Sequence, residues 1–178
     1  MNAFTQAQHA AAEQYLVFDI GGEKFAASVL NVKEVIVFGQ ITEIPQMPAF
    51  IRGVINLRGT IIPVVDLGAR LHQRPSTVGK KTCIVIAEIR DGDARRSAGL
   101  MVDTVFTVVD IPPDDFVPPP ARGTAIRTDF FVGMGRVGDG FAIILDLDSV
   151  LAVEEVLLLT GIAERGELSA LPVISSLP

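Results

Sequence analysis

Imidazole, thiol and paired carboxylates are the usual carriers of protein chemistry, and this chain of 178 residues holds two of the first and one of the second: His9, His72 and Cys83. Neither histidine is spaced with a nucleophile and an orienting acid as a catalytic triad requires. One cysteine and two distant histidines give no metal-ligand spacing either. The "DLD" at 146–148 would suit a cation, but a helix cap beside a solvated aspartate accounts for it more simply. Gly133, Gly135, Gly138 and Gly140 form "GMGRVGDG", which superficially resembles a phosphate loop. It lies among β segments, lacks the Gly-Lys-Ser/Thr ending and has no helix directly behind it, so turns and bulges explain its glycines. No catalytic residue, cofactor or metal is expected.

The stretch that remains is "FIRGVINLRGTIIPVVDL", residues 50–67, with two Arg-Gly pairs six residues apart in an apolar run. In extended chain the faces alternate, placing Ile55, Leu57 and Gly59 on one side and Val54, Asn56 and Arg58 on the other. Arg58 is thus expected to project outward, where a solvated arginine and a functional one are equally good readings. Glu34, the only acidic residue in "LNVKEVIVF", is a candidate partner. A planar, bidentate Arg–carboxylate pair on an apolar surface adds little stability when exposed but fixes the shape and register of a docking surface. Arg52 has no role at this level.

These residues need a scaffold, and the pattern around them is that of an all-β barrel or sandwich: short Val-, Ile- and Phe-rich runs between turn signals. Strands are predicted at 15–20, 24–29, 33–38, 52–57, 60–65, 82–90, 97–102, 104–110, 129–137 and 141–145, with hairpin turns at "GGE" (21–23) and "GDG" (138–140). Pro63 inside the fifth run predicts an edge or a bulge there. Asp66 and Asp146 each follow a β run and open "DLGARL" and "DLDSVL", which makes them helix N-caps.

Gly53 precedes Asp66-Leu67 by the same thirteen positions that separate Gly133 from Asp146-Leu147, an echo at an offset of 80. A second echo, at an offset of 70, pairs "VLNVKEVI" (29–36) with "GLMVDTVF" (99–106), matching Leu30 with Leu100, Val32 with Val102 and Val35 with Val105. A duplicated small β unit buries too little surface to stand alone, so two barrels packed on each other are expected. "DIPPDDFVPPPARG" (110–123) reads as a stiff surface loop whose "PPP" would also suit a polyproline ligand. Residues 152–171 read as helix, with Val153, Val156, Leu157 and Leu159 apolar, and the final "PVISSLP" reads as loose.

Composition narrows the class. With 49% hydrophobic and 20% charged residues, the chain reads as globular and turn-rich. A net charge of −6 with no basic block argues against nucleic acid. No apolar run reaches the ~18 residues that cross a bilayer, and "MNAFTQAQHAAAEQ" lacks the features of a secretory signal, so no direct membrane insertion is expected. Cys83 in "TCIVIAEI" reads as a small core hydrophobe, compatible with a reducing cytoplasm.

Taken in order, "YLVFDIGGEKFA", "VLNVKEVI", "IPQMPAFIRGVINLRGTIIPVVDL", "LMVDTV" and "FFVGMGRVGDGFAIILDLDSVL" resemble the CheW adaptor family of bacterial chemosensory arrays over roughly residues 14–152; the third piece is highly specific. The resemblance implies two small five-stranded SH3-like β-barrels around a shared core, with short helices. It also implies a noncatalytic cytoplasmic scaffold, recruited to receptor arrays, that couples methyl-accepting chemoreceptors to a CheA-type histidine kinase. The expected partners are the regulatory domain of that kinase and the cytoplasmic tip of the receptor. Carried onto this sequence, the family's acidic position falls on Glu34 and its signature arginine on Arg58, with Val29 and Val32 among the apolar groove residues and Gly53 and Gly59 as turn glycines of the motif. A flexible start at 1–13 and a helical extension with a tail at 153–178 flank the matched region, the latter running past the family's usual end. Two other readings are an enzyme or small-ligand binder using Arg58 as an anion anchor in an inter-barrel groove, and a homo-oligomeric structural protein joined through the tail helix.

Overall fold

The computed structural model describes residues 12–118 and 128–152, the helical positions Val156 and Leu159, and the strand Val173–Ile174. Twelve strands are assigned among these residues: β1 (Glu13–Ile20), β2 (Glu23–Ser28), β3 (Val32–Val37), β4 (Ile51–Leu57), β5 (Thr60–Asp66), β6 (Cys83–Asp91), β7 (Ala94–Val102), β8 (Thr104–Ile111), β9 (Phe116–Val117), β10 (Phe131–Val137), β11 (Gly140–Leu145) and β12 (Val173–Ile174). Two short helices, α1 (Leu67–His72) and α2 (Leu147–Val150), follow β5 and β11.

The strands form two six-stranded sheets, in the orders β8-β1-β2-β11-β10-β9 and β12-β4-β5-β7-β6-β3. Each consists of the five expected strands and one added two-residue strand, β9 or β12. Each sheet rolls on itself. In the second, Ile36 from the last strand meets Ile55 and Leu57 from β4 in one cluster with Ile62, Val64, Ile84, Ile86 and Met101. In the first, Phe116 of β9 and Ile111 of β8 share an interior with Tyr15, Val17, Ala26 and Ile144. The largest cluster lies between the barrels and draws Phe18, Phe25, Val54, Val65, Leu100, Phe131, Leu145 and Leu151 from both. A strand such as β4 is therefore covered on both faces, which is why it reads as a continuous apolar run rather than an alternation.

The barrels are not consecutive halves of the chain. The first is built from β1 and β2 with β8–β11, and the second from β3–β5 with β6 and β7. The two echoes show how this arises. The 80-residue echo maps β4-β5-α1 onto β10-β11-α2, one copy per barrel. The 70-residue echo falls where β2 passes through a 3₁₀ turn (Val29–Asn31) into β3 and where β7 passes into β8, two points at which the chain crosses between barrels.

Three local expectations need correcting. Pro63 is not on an edge strand: β5 lies between β4 and β7. Its missing N–H is tolerated because the parallel β5–β7 ladder begins one residue later, at Val64–Gly99, and the bulge falls instead in β4 between Ile51 and Gly53, opposite Val65 and Val64. The connector at 110–123 contains a 3₁₀ turn (Pro113–Asp115) and β9, and its residues from 119 on lie outside the described ones. The final segment is not simply loose, since Val173–Ile174 pairs in parallel with Asn56–Leu57. Of the helix expected at 152–171, Val156 and Leu159 are helical and fully buried in the shared core; most of the rest lies outside the described residues.

Candidate functional site

The hairpin between β4 and β5 turns through two residues, Arg58 and Gly59, with φ of 52° and 88°. Positive φ at both positions is the mark of a type I′ turn, whose twist matches the flanking strands. Glycine adopts it freely, whereas an arginine in the left-handed region is uncommon and carries a small strain. Asn56 holds the turn: buried at the end of β4, its Oδ1 accepts the Gly59 N–H at 2.9 Å. Arg58 does point outward, as strand alternation suggested, but the cause is different, since the strand ends at Leu57 and the turn projects the side chain.

Rolling of the second sheet brings β3 to this turn, and Arg58 pairs with Glu34 through Nη2 and Oε1. The arginine side chain is 57% exposed and the glutamate 30%. Such a pair contributes roughly 0–1 kcal/mol to stability, so it sets orientation rather than holding the fold. The segment that carries Glu34 also exposes apolar side chains: Leu30 on the crossover, 85% exposed, and Val35 and Val37 on the face of β3 opposite Glu34. Val29 and Val32 are half-buried. The exposure of Leu30 was not legible in the sequence, where it matches Leu100; only the structure shows that Leu100 is fully buried and Leu30 is not. Ser28 shapes the crossover by accepting the Leu30 N–H on its hydroxyl at 3.3 Å.

The other motif residues have structural roles. Gly53 is not a turn glycine. It sits in β4 with φ of 145°, and a Cβ there would lie 2.1 Å from the Thr42 carbonyl oxygen, because Thr42 and Val54 exchange backbone hydrogen bonds of 2.9 and 2.8 Å across the bulge. Gly133 repeats this role opposite the Val117 carbonyl. Asp66 caps α1 by accepting the Ala69 N–H at 3.2 Å, and Asp146 caps α2 by accepting the Ser149 N–H at 3.5 Å and its hydroxyl at 2.9 Å. Fully buried, Asp66 also accepts the Ser76 N–H at 2.8 Å and hydroxyl at 2.6 Å, and Arg52 Nε at 3.3 Å. Arg52, left unassigned by the sequence, therefore neutralises a buried carboxylate and ties the loop after α1 to β4 through the Ser76 carbonyl.

Arg70 is a second residue that sequence reasoning missed. Its guanidinium lies 5.0 Å from the Phe50 ring and 4.5 Å from the Phe130 ring, two positions related by the 80-residue echo, and its Nε donates to the Val150 carbonyl at 2.9 Å. It pins one barrel's helix to the other's. His72 packs edge-on against Phe25 beside a cleft of about 660 Å³ lined also by Gly21, Glu23, Arg74 and Asp103. Arg58 does not line that cleft. Cys83 is half-buried against the shared core, and burial pushes its thiol pKa up, opposed in part by a hydrogen bond with the Val105 backbone.

Paired barrels that present an oriented ion pair and exposed aliphatic side chains define an interaction module of the double SH3-like kind. Residues 14–155 match the family model of the CheW-like domain, and the chain belongs to that family. Chemotaxis protein CheW of Klebsiella aerogenes is 29% identical over 152 residues, covering 85% of this chain and 89% of that protein. Protein FrzA of Myxococcus xanthus is 32% identical over 119 residues, covering 67% and 72%. A solved structure described as the scaffolding protein TtCheW from Thermoanaerobacter tengcongensis aligns with a TM-score of 0.72 at 36% identity, covering 82% of this chain and 92% of that one. Among the described residues no helix is long and apolar enough to cross a membrane.

Proposed function

We propose that this chain is a noncatalytic adaptor that couples methyl-accepting chemoreceptors to a CheA-type histidine kinase within a chemosensory array on the cytoplasmic side. The observation that carries the reading is the Glu34–Arg58 pair, held by a strained turn, with Glu34 on a segment that also exposes Leu30 on the crossover and Val35 and Val37 on the other face of β3. The apolar side chains supply contact area, and the ion pair selects the partner and its register. The receptor tip is assigned to the crossover surface carrying Val29 and Val32, and the kinase's homologous regulatory domain docks barrel against barrel. Residues 14–152 carry these contacts, with 153–178 an extension beyond them.

A pull-down of the full chain with the kinase regulatory domain and with a receptor cytoplasmic tip tests the proposal. Binding to both is expected, and binding to neither would overturn it. Arg58→Glu and Glu34→Arg are each expected to weaken array assembly while leaving the melting temperature nearly unchanged. A large loss of stability would mean that the pair serves the fold instead.

A further inference from the structure

The outer edge of β4 carries an occupant that the duplication does not account for. Thr42 pairs with Val54 on that edge. Backbone groups alternate sides along a strand, so Asn56, two residues on, also directs its N–H and C=O to the outer edge. There the chain's own Val173–Ile174 pairs in parallel, Val173 with Asn56 and Ile174 with Leu57, immediately before the Arg58–Gly59 turn. The first barrel offers a comparison. On β10 the added strand β9 pairs with Met134 and Gly135, the echoes of Val54 and Ile55, and no strand among the described residues lies on that outer edge at Arg136–Val137, the echoes of Asn56 and Leu57. The strand at Asn56–Leu57 is thus an addition to the repeated plan, and the tail supplies it.

Two features make this contact exchangeable. A ladder of two residues adds little free energy, and short terminal elements open locally at small cost. The segment is nonetheless tethered, because Val156 and Leu159, earlier in the chain, are fully buried in the shared core. Tethering of this kind gives a weak contact a high effective concentration. The residue types Val and Ile favour extended chain.

We propose that the outer edge of β4 at Asn56–Leu57 is a strand-binding site whose resident occupant is the chain's own C-terminal segment, held in cis as a releasable latch under the Arg58 turn. The site accepts an extended, β-branched peptide in parallel orientation through backbone hydrogen bonds. While the tail is in place the edge is closed to any other strand.

The test uses the full-length chain and needs neither kinase nor receptor, so its outcome is independent of the adaptor reading. In Ile174→Pro, which removes a backbone N–H from the ladder, the amide of Asn56 should lose hydrogen-exchange protection by about tenfold or more, while that of Val54, bonded to Thr42, stays unchanged as the control for folding. A synthetic peptide of residues 170–178 should then bind the Ile174→Pro chain and bind the unsubstituted chain about tenfold or more weakly. The double variant Val173→Gly/Ile174→Gly, which loosens the extended segment, should behave in the same way. Unchanged protection at Asn56 in both variants would overturn the latch, and equal peptide binding by substituted and unsubstituted chains, or binding by neither, would overturn the strand-binding site. Loss of protection at Val54 in both variants would show the tail to be an integral part of the barrel, which also refutes a releasable latch.

Discussion

Replacing Arg70 by alanine removes the one side chain seen to stack on both echo-related phenylalanines, and the cost follows from its surroundings. The guanidinium faces Phe50 at 5.0 Å and Phe130 at 4.5 Å, and each such contact at a half-buried site contributes about 0.5–1 kcal/mol. Its Nε bond to the Val150 carbonyl, 2.9 Å long, adds about 1.5 kcal/mol at the low end of the range for charged donors, and its loss leaves that carbonyl near the end of α2 short of a partner. Together these predict a destabilisation of about 2.5–3.5 kcal/mol. For a chain of this length each kcal/mol moves the melting temperature by about 2–4 °C, so Arg70→Ala should melt roughly 5–14 °C lower by differential scanning calorimetry. Arg70→Lys keeps the charge but not the planar face and should lie between the two. A shift below about 2 °C for alanine would refute the idea that Arg70 joins the barrels. Equal losses for lysine and alanine would be read differently: the hydrogen-bond fork, not the charge, would be the source.

Other outcomes follow from single sites. Gly53→Ala should destabilise by about 3 kcal/mol or more in denaturant melts, because its Cβ would overlap the Thr42 carbonyl and φ is 145°, whereas Gly59→Ala, with open space around it, should cost only about 1 kcal/mol. Exchanging the charges in the double variant Glu34→Arg/Arg58→Glu should restore part of the partner binding that either single change removes, as measured by co-sedimentation with receptor tips; no recovery would argue that the two residues act separately. Tyr15 is the only tyrosine and there is no tryptophan, so absorbance at alkaline pH follows this residue alone. Burial, then the hydrogen bond to Glu13 and its charge, pushes Tyr15 up to about 12, so its titration should be centred there, not near the ordinary value of about 10. Because the folded value is the higher one, this group's contribution to stability is fully present below the unfolded value and falls as pH rises from there through the folded one. Cys83, raised by burial, should react with iodoacetamide at neutral pH more slowly than a free thiol.

The ten long strands were legible because each is an apolar run between turn residues, and in most of them the boundaries shifted by only one or two positions. The N-caps Asp66 and Asp146 were legible for an equally local reason: cap chemistry depends on one side chain and the next three residues. What stayed hidden is non-local. Nothing in "FIRGV" says that Arg52 will meet a carboxylate fourteen residues on and the carbonyl of Ser76, or that the first motif glycine, Gly53, answers the Thr42 backbone rather than a turn. The outward direction of Arg58 came from alternation along a strand that in fact ends one residue earlier. The pairing with Glu34 came from composition, since an isolated acid among aliphatic residues needs a partner, but only closure of the barrel brings β3 to the turn. The exchange of hairpins between barrels could not be read at all, because periodicity reports which face of a strand is buried and not which neighbour covers it.

That exchange of hairpins governs the order in which the protein can assemble. The long strands of the second barrel lie within residues 32–102, so that barrel can close while the C-terminal third of the chain is still being synthesised. The first cannot: β1 and β2 must wait for β8 and β11, with Leu16 finding Val108 and Phe25 finding Ile143. Contacts this distant in sequence slow folding, and a waiting apolar hairpin offers unpaired edges to other nascent chains. Premature release from the ribosome after residue 102 but before residue 145 therefore yields a chain with one barrel's long strands complete and the other barrel unfinished, a natural substrate for chaperones.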